Sequence, residues 1–550
     1  VRGGARGVGA SGAALPLWAR RCHGEAASLA SETRFGRRKL AMEPVAPAEP
    51  RFTTISQLIA ATAHEAPARR ALYDGRKSLT YAELDAAMDR VAASLQRDGV
   101  APRSAIAISA LSSVEYLAVF LGALRAGIAV APLAPSSTPA SLAAMIADCD
   151  AKAVFVDAST RDLFGAAEAS RPRIALDENF DAWLAPEGAK PAPVAVQPDW
   201  TFNTIYSSGT TGAPKGIDQP HFMRWQHVRR SALFGYDADA ITLISTPLYS
   251  NTTLVSVLPA LAGGGAIVLM KKFDAREFLR LAEAERATHA MLVPVQYSRI
   301  LALPDFDAFD LKSFRMKFCT SALFAAALKR EVLNRWPGGL VEFFGMTEGG
   351  GTCILIAHEH PDKLHTVGRP AEGHDVRLID EEGREVGAGE IGEIVGHSGA
   401  TMTGYHKLDQ KTREAEWHEA SGKRFIRTGD IGRFDADGFL TLLDRRKDMI
   451  ISGGFNIYPS DLEAILRAHP QVAEASVVGA PSKAWGETPV AFVVPAAGAK
   501  LDPEELRAWA NAKLGKTQRL SAVRLIDILP RSPIGKVLKR DLRDLFGSGD

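Results

Sequence analysis

YSSGTTGAPKGI, residues 206–217, sets three glycines, two serines and two threonines around a single lysine, Lys215. Such a run offers backbone amides and hydroxyls on a chain able to approach a ligand closely, which suits the oxygens of a polyphosphate. It is not the P-loop G-x-x-x-x-G-K-[ST], because the lysine precedes the closing glycine, nor is it the nucleophile elbow G-x-S-x-G. The mixed apolar and β-branched residues Phe202–Tyr206 predict a strand running into a glycine-rich loop at Ser207–Gly216. A plain Gly/Ser surface loop is the competing reading, and the remaining sequence decides between them.

Four further stretches carry candidate chemistry. EFFGMTEGGG, residues 342–351, places Thr347 and Glu348 among glycines, where the glutamate suits Mg²⁺ and the threonine a phosphate, although T-E pairs also cap helices. RTGDIGRFDADG, 427–438, holds Asp430, Asp435 and Asp437; one suits ribose hydroxyls while the others shape turns. DRRKDMIISGGFNIYP, 444–459, turns from charged to glycine-rich, and PRSPIGKVLKRDLR, 530–543, sets Lys536 after a glycine in a proline-containing loop.

At 550 residues the chain exceeds one compact core. Its formal charge of +1 exerts no global pull toward nucleic acid, membrane or acidic partners. Cys22, Cys149, Cys319 and Cys353 are scattered without metal-ligand spacing and fit a reducing compartment. No apolar run reaches the length of a membrane span. Residues 1–46 form an Arg/Gly/Ala-rich leader. It reads either as a presequence, implying an organellar matrix, or as a disordered extension ahead of Met42, implying a cytoplasmic protein.

From Ile55 helical and apolar strand-like segments alternate. Helices are predicted at 55–63, 81–96 (Thr80 as N-cap) and 114–127, and strands at 104–109, 151–156, 240–245 and 288–293. The pattern predicts an α/β fold with helix-covered sheets. After about Thr366 short strands with Gly, Asp and Glu turns predict a β-rich subdomain, and the last hundred residues read as a compact α+β unit.

The motifs YSSGTTGAPKG, FFGMTE, TGD followed by DRRKDMIISGG, and PIGKVLKR occur in the order and at the distances of the adenylate-forming (AMP-binding) superfamily. The chain resembles its bacterial fatty-acid and aryl acyl-CoA synthetases over about residues 52–545. The resemblance implies a large domain at 47–443, a hinge at 444–447 and a small mobile lid at 448–545. It implies ATP, Mg²⁺ and coenzyme A as reactants, with an acyl-adenylate between the two half-reactions. Ser207, Ser208, Gly209, Thr210, Thr211, Gly212 and Lys215 would hold the β- and γ-phosphates. Gly345, Met346 and Thr347 would line the nucleotide and acyl pocket, with Glu348 the magnesium ligand. Asp430 and Arg445 would bind the ribose, Lys536 would bridge the carboxylate and α-phosphate, and Lys447 would be the hinge. Gly453 and Gly454 would lie in the loop that guides pantetheine.

The acyl pocket is expected around Trp225, Tyr249, Ser250, Ser321 and Phe344, with Leu254 and Val255 as further wall. In STPLYSNTT, Ser250 stands where the superfamily often has histidine, which removes a bulky ring from the channel. Neither pocket segment carries Arg or Lys, arguing against a substrate with a second carboxylate, and Arg224, Arg229 and Arg230 are expected to face solvent. His221 and His227 are equally compatible with pocket lining and helix packing, and His358 and His360 read as surface residues. Cys319 reads as a buried structural thiol. The expected substrate is a medium- or long-chain fatty acid, ahead of an aryl acid and a short branched acid. A stand-alone adenylation enzyme loading a carrier protein is the alternative. Partners are small molecules, without nucleic acid; a homodimer is compatible, though no stretch specifies its interface.

Overall fold

The computed structural model describes residues 51–163, 171–207, 215–445, 448–452, 455–482, 485–515, 518–531 and 536–547. Apolar runs of four residues, ITLI at Ile241–Ile244, AIVL at Ala266–Leu269 and HAML at His289–Leu292, are almost wholly buried. Strands buried on both faces are the signature of a parallel sheet covered by helices. Here they form the middle of a nine-stranded sheet, in the order Arg369–Pro370, Cys353–Ile356, Gly339–Phe344, Met316–Cys319, His289–Leu292, Ile241–Ile244, Ala266–Leu269, Arg70–Tyr73, Ser78–Thr80. Neighbours from Gly339–Phe344 through Arg70–Tyr73 are parallel, and antiparallel pairs close both edges.

A second sheet of seven strands runs Gly404–Tyr405, Lys215–Pro220, Thr201–Ser207, Ala129–Pro132, Ala105–Ser109, Ala151–Val156, Arg173–Ala175. Helices follow the sequence expectation closely at Ile55–Glu65, Tyr81–Arg97 and Val114–Arg125. At Thr80 the predicted cap is a reciprocal box: the hydroxyl accepts from the Glu83 amide and the Glu83 carboxylate accepts from the Thr80 amide at 2.7 Å.

The β-rich segment is a third sheet, Asp375–Ile379, Gly392–His397, Arg424–Phe434 and Glu416–His418, with Leu440–Arg445 against Arg424–Phe434. The smaller α+β unit holds Phe455–Ile457, Ile450–Ser452, Gly486–Pro495 and Val472–Ser482 in one sheet, with Ala522–Leu525 beside Gly486–Pro495. Its core gathers Ile450, Leu462, Leu466, Val477, Val493 and Leu506. Asp444 and Arg445, expected in a free connection, end a strand in which Arg445 stands opposite Asp430. Lys447, expected as the pivot, lies outside the described residues.

Beneath the strand that leads into the second motif lies a buried ion pair. Lys329, 1% exposed, pairs with Glu342, 3% exposed, and donates to the carbonyls of Leu364 (2.8 Å) and Thr366 (2.9 Å). Burial pushes the Glu342 carboxyl up to about 7, against the pull of Lys329. Lys329→Met strands the carboxylate and should lose about 3–5 kcal/mol of unfolding free energy at pH 8 by urea melt. The loss should shrink at pH 5, where the carboxyl takes up a proton, and Lys329→Met/Glu342→Leu should recover most of it.

Candidate active site

Parallel strands direct their carboxyl ends to one edge of a sheet, and ligands of open α/β folds bind there. The segments that follow Ile241–Ile244, Met316–Cys319 and Gly339–Phe344 all open into one cleft of about 2800 Å³. Tyr249, Ser250, Ser321, Phe344, Gly345, Met346, Thr347 and Glu348 line it from the nine-stranded sheet. Lys215 lines it from the seven-stranded sheet, Asp430 from the third and Lys536 from the small unit. Side chains more than three hundred residues apart in sequence, Lys215 and Lys536, thus share one cavity.

The glycine-rich stretch is flanked by an antiparallel pair. Thr201–Ser207 runs against Lys215–Pro220 with Ser207 opposite Lys215, so both residues end strands rather than sitting within the loop. Ser208, Gly209, Thr210, Thr211 and Gly212 lie outside the described residues, as do Gly453 and Gly454; Ser207 and Arg445 are placed by their backbones. The Lys215 ammonium stands 4.5 Å from the centre of the Tyr405 ring, and the Tyr405 hydroxyl donates to Glu348 Oε1 at 2.9 Å. One tyrosine therefore holds the cation by its face and the carboxylate by its hydroxyl. Gly349, at φ 77°, has no alternative: a Cβ there would stand 2.0 Å from the Ala400 carbonyl oxygen.

Gln219 was not foreseen from sequence. Its Nε2 donates to the Thr347 carbonyl at 2.6 Å and to Asn251 Oδ1 at 3.3 Å. Its Oε1 accepts from Asn203 Nδ2 at 2.8 Å and from Arg224. Arg224 also donates to Asn203 Oδ1 at 2.9 Å and is fully buried, which corrects the expectation that it faces solvent. The amide orientation is thus set: an all-donor guanidinium claims Oε1, so Nε2 must face Thr347.

On the other side the wall is aromatic. Phe234 lies edge-on to Phe318 (ring centres 5.7 Å apart) and to Phe343 (5.5 Å), while Tyr236 stacks on Phe318 at 5.6 Å. All four line the cleft, and none was among the pocket residues read from sequence. Their signal lay in ALFGY, residues 232–236, and in the neighbours of named positions, Phe318 beside Cys319 and Phe343 beside Phe344. Val255 lines the cleft too. Leu254 is buried, and Trp225 belongs to the core, edge-on to Phe52, rather than to the wall. Ser321 adopts φ 81° and its hydroxyl lies 2.5 Å from that of Thr252, a strained backbone held at the cleft edge. Burial pushes the Cys319 thiol well up, leaving it inert.

The histidines separate. His221 packs on Phe202 and burial pulls it down to about 4, whereas His227 lines the cleft. Arg230 lines it as well and is half-buried, correcting a second solvent-facing expectation. Its Nε donates to the Gln226 carbonyl at 3.4 Å, and its guanidinium meets His374 Nε2. His358 Nδ1 accepts from the Leu340 amide at 3.1 Å while His360 lies edge-on to Phe439.

The model of the AMP-binding enzyme family matches residues 59–406, and that of the AMP-binding enzyme C-terminal domain matches 461–536. The chain belongs to the AMP-binding enzymes. It is 33% identical to an indoleacetate–CoA ligase of Aromatoleum aromaticum over 495 residues, 87% of this chain and 95% of that protein. It is 32% identical over 511 residues to the fatty acid–[acyl-carrier-protein] ligase ScoC of Streptomyces coeruleorubidus, covering 90% and 97% of the two chains. Among solved structures it resembles ATP-bound MatB of Rhodopseudomonas palustris, with TM-score 0.82, 29% identity, and 90% and 99% coverage. This AMP-binding enzyme is therefore a catalyst of ATP-dependent, AMP-forming acid activation, with ATP, Mg²⁺ and a thiol acceptor as its reactants. The donor set fits a divalent cation: Glu348 commits Oε1 to Tyr405 and presents a half-buried carboxylate to the cleft, an oxygen ligand suited to Mg²⁺.

Gln219 separates stability from activity in this AMP-binding enzyme. Gln219→Leu leaves Arg224 and Asn203 without their acceptor and should lose roughly 1–3 kcal/mol by urea melt. Gln219→Glu keeps an acceptor for Arg224 but turns a carboxylate oxygen on the Thr347 carbonyl. The charge-assisted bond to Arg224 offsets the donor that the Thr347 carbonyl loses, so stability should stay near wild type while ATP–pyrophosphate exchange falls about tenfold or more.

Proposed function

We propose that this enzyme is an acid–CoA ligase whose acid carries an aromatic ring, forming acyl-CoA, AMP and pyrophosphate through an acyl-adenylate. The observation that carries the reading is the wall of Phe234 and Phe343, part-exposed to the cleft and backed by the buried rings of Tyr236 and Phe318, an aromatic surface suited to a planar guest. Similarity to the indoleacetate–CoA ligase supports it. An aryl acid therefore replaces the medium- or long-chain fatty acid expected from sequence as the first choice.

A carboxylate is a poor electrophile and is repelled by triphosphate, so the site must offset negative charge as the acyl–phosphate bond forms. We assign Lys215 and the segment Ser207–Gly212 to the β- and γ-phosphates, Thr347 to the α-phosphate side, and Lys536 to the attacking carboxylate. Glu348 holds Mg²⁺, which neutralises phosphate charge when it enters with ATP. Asp430 accepts from the ribose hydroxyls, with Arg445 opposite it in the sheet. The domain division at 47–443, 444–447 and 448–545 belongs to the same proposal, with Lys447 as pivot and Gly453–Gly454 on the thiol path. Swinging the small unit then presents Lys536 for adenylation and withdraws it for thiol attack, which keeps the water-labile anhydride enclosed. A cytoplasmic setting accords with Cys149, Cys319 and Cys353 being buried free thiols.

A second reading, transfer to a carrier protein, has the similarity to ScoC in its favour. Exchange assays with indoleacetate, coumarate, benzoate, octanoate and palmitate, followed by turnover with free coenzyme A, separate the possibilities. Aryl acids and free coenzyme A should be used; exchange with fatty acids alone overturns the aryl assignment, and no turnover with coenzyme A overturns the thiol acceptor.

Lys536→Ala should lower pyrophosphate exchange by roughly a hundred- to a thousand-fold, about 3–4 kcal/mol, as expected for one electrostatic contact in the transition state. Acyl-CoA release from supplied adenylate should change far less. Lys447→Pro should show the reverse, because proline fixes φ where the chain must rotate. Equal depression of both halves by both variants would sink the two-pose scheme.

A further inference from the structure

Among the described residues, the cleft lining holds a cation with no anion paired to it. Arg230 lines the cleft on the helix His221–Ser231, four residues before Phe234, and no carboxylate pairs with it among the described residues. Its contacts connect it to the acyl side of the cleft. The guanidinium meets His374 Nε2; the Thr352 amide donates to His374 Nδ1 at 3.0 Å; and Thr352 Oγ1 lies 3.4 Å from where a Cβ on Gly345 would stand. Thr352 itself lines the cleft, next to the register pairs Phe344–Cys353 and Phe343–Ile354.

Valence shows what is missing. A backbone amide can only donate, so His374 Nδ1 is the acceptor and a neutral ring carries its proton on Nε2. Burial and the nearby Arg230 and His397 hold His374 down to about 3, so the ring is neutral at pH 7. Nε2–H therefore confronts an N–H of Arg230, donor against donor. Among the described residues the guanidinium is left with one backbone acceptor, Gln226 O at 3.4 Å. Beside it His227 lines the same cleft with a buried Nδ1 that has no partner among the described residues. The charged groups acting on His227 are the guanidiniums of Arg224 and Arg230. A half-buried cation beside unsatisfied nitrogens is costly unless an acceptor arrives with the ligand.

We infer that Arg230, with His227, forms a subsite for a second oxyanion group on the acid substrate, distal to the carboxylate that is activated. This deepens the proposed aryl reading and rests on it: the substrate class becomes a ring acid bearing a second carboxylate or comparable oxyanion. The sequence expectation against a second carboxylate held only for the two segments considered as pocket, and the cation comes from a third. The reacting carboxylate is a poor alternative occupant, because under the proposed roles it must meet the α-phosphate near Thr347 and Lys536, whereas Arg230 stands on the helix that leads to Phe234.

Two matched pairs of acids, in which a distal carboxylate is replaced by its isopropyl isostere, test the subsite by pyrophosphate exchange. One pair is 4-carboxyphenylacetate and 4-isopropylphenylacetate; the other is azelate and 9-methyldecanoate. Wild type should prefer the diacid by about tenfold or more in kcat/KM, because a polar site rejects an analogue that leaves it unpaired. Arg230→Met should abolish or reverse that ratio through KM for the diacid, with KM for ATP unmoved, and Arg230→Lys should retain part of it. Preference for the isopropyl acid in wild type, an unchanged ratio in Arg230→Met, or a rise in KM for ATP with every acid would overturn the inference. Turnover of the aliphatic pair alone would overturn the aryl reading while still deciding the subsite from the azelate ratio. No turnover of any of the four acids would count against both. Urea melts of the two variants identify a loss due to misfolding, and the ratio measured on Arg230→Lys then decides.

Discussion

Gln219 ties two sheets together through one amide whose both ends are committed. Its oxygen is claimed by Arg224 and Asn203 inside the seven-stranded sheet and its helix, and its nitrogen reaches the Thr347 carbonyl at the end of the nine-stranded sheet. The strand pair that flanks the glycine-rich stretch is thereby registered against the segment carrying Thr347 and Glu348. A buried amide cannot be inverted without leaving a donor or acceptor unpaired, so the relative position of the two motifs is specified by orientation as well as by packing. Tyr405 repeats the connection from a third direction, pairing an edge strand with Lys215 on its ring and Glu348 on its hydroxyl.

Around that junction the cleft divides by chemistry. Its polar side collects Lys215, Glu348, Asp430 and Lys536, the groups we assign to phosphate, metal and ribose oxygens. Its aromatic side packs rings at centroid distances near 5.6 Å, where polar groups are expensive unless paired. The aryl acid we propose would span both, with its carboxylate at one end and flat apolar surface beyond it.

Different parts of the site were legible to different degrees. Lys215, Thr347, Glu348, Asp430 and Lys536 stand out in sequence because they sit in or beside glycine-rich or turn-rich local patterns, and all five line the cleft. Tyr249, Ser250, Ser321 and Phe344 were named because STPLYSNTT, CTSALF and FFGMTE resemble superfamily segments, and all four line the cleft at or just beyond strand ends. Trp225 failed because one face of an amphipathic helix looks alike whether it meets a core or a cavity; here Phe52 covers it. Arg224 and Arg230 failed for a related reason: arginine is ordinarily exposed, and only unforeseen neighbours, Asn203 and Gln219 for one and His374 for the other, place it inside.

By itself the amino-acid sequence determined what depends on nearby residues. It specified the alternation of buried strands and helices, the cap at Thr80, the β-rich segment after Thr366 and the motif set of an adenylate-forming enzyme. These are encoded in spacing, turn chemistry and backbone freedom over a few residues. The tertiary structure alone decided which strands are neighbours and therefore which side chains share a cavity. It brought Phe234 to Phe343, Gln219 to Thr347 and Arg230 to His374 across separations of more than a hundred residues. Periodicity says which face of an element is apolar, but not what that face will meet. The chemistry of an acyl pocket is set by what meets.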